Sequence, residues 1–93
     1  MPLFTVVLDF RGGTYIGQVR AASATKALTL WAKDLPVHEI AGMGPASKRD
    51  LVARLVEEEP VPLTGLSRAW CRSVLVRGHL ALINLVETVE SQP

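Results

Sequence analysis

The stretch 69-AWCRSVLVRGHLALINLVETV-89 decides how this chain folds. It consists of two runs rich in β-branched and aliphatic residues, interrupted at Gly78-His79, so it predicts two strands, 69 to 77 and 80 to 89, joined by a tight turn. With Arg77 opposite Leu80, Leu75 lies opposite Leu82, Ser73 opposite Asn84, Cys71 opposite Val86 and Val74 opposite Ile83. Strand side chains alternate between faces. One face then carries Trp70, Val74, Val76, Ala81, Ile83 and Leu85, and the other Cys71, Leu75, Leu80, Leu82 and Val86. A ribbon that is apolar on both sides is the pattern of a sheet covered twice.

Working outward, residues 3 to 10 (LFTVVLDF) and 14 to 21 (TYIGQVRA) form a second pair of predicted strands around Gly12-Gly13. Pairing Arg11 with Thr14 sets Phe10 opposite Tyr15, Leu8 opposite Gly17, Val6 opposite Val19 and Phe4 opposite Ala21 on one apolar face. The reverse face mixes Thr5, Val7, Asp9, Ile16, Gln18 and Arg20. Between the hairpins, Ser23 caps a predicted helix whose Ala24, Ala27, Leu28, Trp31 and Leu35 recur at helical spacing until Pro36. Ser47 followed by Asp50 fits a capping box opening a second helix, with Leu51, Val52, Leu55 and Val56 as its apolar stripe and an Arg54–Glu58 pair four residues apart. Residues 60 to 65 (PVPLTG) read as an extended linker. The expected architecture is a single α+β domain over residues 1 to 93, two β-hairpins flanking two helices (ββααββ), with a mainly antiparallel sheet and the helices on one face.

Composition bounds the function classes. In 93 residues, 48% are hydrophobic and 20% charged, and the net charge is +1, which is far from the basic balance of a dedicated nucleic-acid binder. Arg68, Arg72 and Arg77 accompany Trp70, but Arg72 and Arg77 fall on opposite faces and form no single patch. The single cysteine, Cys71, excludes an intramolecular disulfide and fits a reducing compartment, so the cytoplasm is expected. The N-terminus lacks the basic segment of a signal peptide, and no apolar run approaches bilayer length.

The candidate chemistry is sparse. Cys71, His38 and His79 are the residues suited to soft metals or to a nucleophilic pair, and none stands at ligand spacing from another. The connector from Gly42 to Arg49 is glycine-rich and runs into a helix start, where Ser47, Lys48 and Arg49 are candidates for holding an anion. It lacks both the Walker lysine position and the third glycine of a dinucleotide loop. No cofactor, metal site or catalytic set is therefore expected, and three readings remain. The first is a non-catalytic interaction or assembly protein, a homodimer through the second hairpin, with Trp70, Val74, Val76, Ile83 and Leu85 as interface candidates. The second is an inhibitor of a heterologous partner protein. The third is a small ligand binder or enzyme.

The second reading draws on a resemblance. Residues 4 to 35, FTVVLDFRGGTYIGQVRAASATKALTLWAKDL, resemble the N-terminal hairpin and helix of HicB-like antitoxins, in which two strands precede a helix with an Ala-Leu pair like Ala27-Leu28. The resemblance implies a β-β-α start and an antitoxin role. The chain departs from that family in ending on a hairpin rather than a DNA-binding element.

Overall fold

A computed structural model describes residues 1 to 90. It is an α+β fold in which strands β1 (Leu3–Phe10) and β2 (Gly13–Arg20) precede helices α1 (Ala24–Lys33) and α2 (Pro45–Leu55), with a 3₁₀ turn, Val37–Glu39, between the helices. Strands β3 (Val61–Pro62), β4 (Ala69–Val76) and β5 (His79–Thr88) follow. They form one five-stranded sheet in the order β2-β1-β5-β4-β3, antiparallel at every pairing.

Three expectations are corrected. The layout has five strands rather than four, because Val61 and Pro62 pair with Cys71 and Trp70 where a linker was expected. A two-residue strand holding a proline leaves no alternation to read, and proline is tolerated at a sheet edge. Both hairpin registers differ from the expected ones by two residues, with Phe10 opposite Gly13 and Val76 opposite His79. The turns are Arg11-Gly12 and Arg77-Gly78, all four residues having positive φ, which is the type I′ geometry that matches strand twist. A slip of two keeps every side chain on its expected face. Finally, α2 starts from Gly44, with Pro45 in its first turn, and not from a Ser47 capping box. Proline is preorganised there because the first helical N–H groups have no partner to lose.

The Ser23 cap stands as read, its hydroxyl accepting from Lys26 N at 3.2 Å. One buried cluster holds Phe4, Val6, Leu8 and Phe10 of β1 together with Val74, Val76, Ile83 and Leu85 of the second hairpin. It is closed by Ala27, Leu28 and Trp31 of α1 and by Leu51 and Leu55 of α2. The β1–β5 pairing sets Leu8 opposite Ile83 and Val6 opposite Leu85, which brings the two hairpins' faces into one layer. Both helices pack on that layer. No helix is long and apolar enough to cross a membrane among the described residues.

Candidate functional site

Among the described residues, the opposite face of the sheet carries no helix. Its central row runs Ile16, Val7, Asn84, Cys71, Val61 across all five strands, and the flanking rows hold Leu82, Leu80, Leu75 and Val86. Ile16 is 71% exposed, Leu80 58% and Leu75 55%, which is unusual for three large aliphatic side chains sharing one surface. Between them stand neutral polar groups: Gln18 Nε2 donates to Thr5 Oγ1 at 3.1 Å, and the Thr5 and Thr88 hydroxyls bond one another. Charge is confined to the margins. Thr14 Oγ1 donates to Asp9 Oδ1 at 2.6 Å, and Arg20 pairs with Glu90.

The interface candidates from the sequence are on the other side. Val74, Val76, Ile83 and Leu85 are buried in the chain's own core, and half-buried Trp70 packs on Phe4 with ring centroids 5.9 Å apart. They are consumed by folding, so the open surface is the one built on Leu75, Leu80 and Leu82. Two apolar faces were visible in residues 69 to 89. The choice between them depended on the long-range β1–β5 pairing, which no local pattern records.

The chemistry-bearing residues are not brought together. Cys71 lies half-buried on the open face, His79 sits by Phe10 (6.4 Å) at the start of β5, and His38 is exposed in the 3₁₀ turn. No group of three or more His, Cys, Asp or Glu is placed to hold a metal ion among the described residues. Of the anion candidates, Lys48 is engaged, its Nζ donating to the Leu35 carbonyl at 3.0 Å, while Ser47 and Arg49 stand on α2 and their side chains make no hydrogen bond among the described residues.

Several charged groups serve the fold. Arg72, with a side chain only 12% exposed, lies at the C-terminal end of α2. Its Nη2 donates to the Arg54 carbonyl at 3.1 Å and lies 3.7 Å from Glu58, complementing the negative end of the helix. The expected Arg54–Glu58 pair is replaced: Arg54 binds Asp50 at 3.2 Å and Glu58 faces Arg72. Asp50 accepts the Arg77 backbone N–H at 3.0 Å, and this bond foremost, with Arg54 beside it, holds its carboxyl below the ordinary value of 3.8.

A concavity lies at the β2 edge of the sheet. A groove of about 450 Å³ runs along residues 14 to 19 of β2, walled by Trp31, Asp34, Leu35, Pro36, Glu39 and Ile40 from the end of α1 and the connector. The connector is pinned there because Tyr15 OH accepts from Ala41 N at 3.1 Å. Sequence reading placed Trp31 in the core and missed this groove, although an isolated glycine in a strand, Gly17, is a signal of close approach by a ligand or another backbone.

Comparison with protein-family models, with curated proteins and with solved structures finds no match to this chain.

Proposed function

We propose that the chain is a non-catalytic assembly protein of a reducing compartment that forms a homodimer through the open face of its sheet. The observation that carries this reading is a five-stranded face with exposed Ile16, Leu75, Leu80, Leu82, Val86 and Val61 and, among the described residues, no covering element. Four strands about 4.8 Å apart with about eight residues each at about 3.4 Å, and the two-residue β3 beside them, give a footprint of roughly 550 Å² before side-chain relief is counted. That exceeds the roughly 500 Å² per partner of the smallest specific interfaces. A second copy is the favoured occupant because the face is nearly free of charge. Sheet-on-sheet packing at a two-fold axis then juxtaposes aliphatic rows, with no like-charge pair at the centre.

Size-exclusion chromatography with light scattering tests it. The expected mass is twice the 10.1 kDa of one chain, falling to one chain for the double variant Leu80→Lys, Leu82→Lys. A wild-type monomer at about 100 µM, a concentration well above ordinary dimer dissociation constants, overturns the reading. The HicB-like resemblance motivates a second proposal, an inhibitor that covers the same face with a different protein. It takes precedence if the purified chain is monomeric and a stoichiometric partner accompanies it from its native host.

A further inference from the structure

The edge of β2 is unpaired and the groove lies against it. The hydrogen bond that Ala21 N donates to Pro2 O, at 3.2 Å, fixes the parity of the β1–β2 ladder. Residues 13, 15, 17 and 19 therefore bond β1, and Thr14, Ile16 and Gln18 turn their backbone N–H and C=O groups outward. At the other end of the sheet, the two-residue β3 with Pro62 pairs only with Trp70 and Cys71, and the stretch of β4 beyond it, residues 72 to 76, is a shorter edge whose Ser73 carbonyl already accepts from Arg72 Nη1 at 2.8 Å. Only the β2 side offers a long row of donors and acceptors among the described residues.

Gly17 keeps that side open. It has an ordinary φ, and a Cβ there would meet Trp31 Cδ1 and Nε1 at 3.6 Å, which is normal contact. A side chain is thus sterically acceptable at residue 17 and would strengthen the strand, yet it would occupy the groove. Trp31 Nε1 makes no hydrogen bond among the described residues and is not among the buried unpartnered atoms, so its N–H reaches solvent through the groove. The charged residues of the lining are Asp34 and Glu39, both acidic.

We propose that the β2 edge and its groove bind an extended peptide segment as a sixth strand, the segment presenting basic residues two positions either side of an aliphatic anchor. Side chains two apart share a face of a strand, so the anchor meets Trp31 and Leu35 while its basic neighbours meet Asp34 and Glu39. A second copy of β2 does not fit this description. On that face it would present Tyr15, Gly17 and Val19, with no cation for the two carboxylates. The inference does not rest on dimerisation, since the groove opens on the helix side of the sheet.

The test is fluorescence anisotropy with a fluorescein-labelled, end-capped peptide Thr-Lys-Thr-Ile-Thr-Lys-Thr. It uses the whole chain, both as wild type and as the Leu80→Lys, Leu82→Lys variant. Binding is expected to both proteins, which separates the groove from the open face. Replacing the peptide lysines by glutamate, or replacing Asp34 by Asn together with Glu39 by Gln, is expected to weaken binding about 2- to 30-fold, the range for two exposed ion pairs. N-methylation of alternate peptide amides, or Gly17→Val in a chain with unchanged circular dichroism, is expected to abolish it. Equal binding of the glutamate peptide, retention by the N-methylated one or by Gly17→Val, or no binding of the lysine peptide overturns the proposal.

Discussion

Arg77 and Gly78 illustrate how much of this fold depends on single residues. Arg77 holds φ 50° and Gly78 φ 86°, and a side chain in the left-handed region costs about 1–2 kcal/mol that glycine avoids. Asparagine is the residue best suited to the first of the two turn positions. Arg77→Asn keeps the backbone N–H that Asp50 accepts and is expected to stabilise the chain by roughly 0.5–1 kcal/mol, seen as a higher guanidinium midpoint at unchanged slope. Gly78→Ala is expected to destabilise it by about 1–2 kcal/mol in the same assay. Asp50 supplies the pH dependence of this corner. Its carboxyl is held below 3.8 in the folded chain, so its contribution is present above the unfolded value and disappears as pH falls through the folded one. Thermal melts of wild type and Asp50→Asn are expected to differ at neutral pH and to draw together as the solution is acidified below the ordinary carboxylate range; a gap that does not narrow on acidification contradicts this assignment.

Elements were legible where a period carried them. The alternation of Phe4, Val6, Leu8 and Phe10, and of Val74, Val76, Ile83 and Leu85, assigned strands and faces correctly because each set lines one surface. The registers slipped because Gly12-Gly13 and Gly78-His79 each draw the turn one residue late, whereas an Arg-Gly pair carries no familiar turn signature. Pro45 marked the start of α2 more truthfully than Ser47 did, and β3 was too short to show a period. The same alternation makes a prediction within one strand. Ile83 is fully buried and Leu80, three residues earlier on β5, is exposed. Ile83→Ala is expected to cost about 2–5 kcal/mol of folding stability through lost burial and a residual cavity. Leu80→Ser is expected to change chain stability by no more than about 0.5 kcal/mol while shifting the monomer–dimer equilibrium toward monomer. Denaturant titration at low protein concentration, beside light scattering at high concentration, reads the two effects separately.

At the scale of the whole molecule, the two faces of the sheet are chemically unlike, and each surface should respond differently to salt. One face is sealed by helices around a continuous core, and the other exposes aliphatic rows whose charges, Asp9, Arg20 and Glu90, are already paired or bonded at the margin. Association through that face removes apolar area from water and separates few charges, so screening has little to act on. The groove at the β2 edge is different, because Asp34 and Glu39 are exposed and any cation they meet is within reach of counterions. Raising sodium chloride from about 0.05 to about 0.5 M, which shortens the screening length from about 14 Å to about 4 Å, is expected to leave the dimer dissociation constant within about twofold. The same change is expected to weaken binding of the lysine peptide about 3-fold or more. Sedimentation equilibrium and anisotropy, run in matched buffers, measure both. A dimer that dissociates in salt would place the contact at a charged edge of the sheet instead of on its aliphatic face.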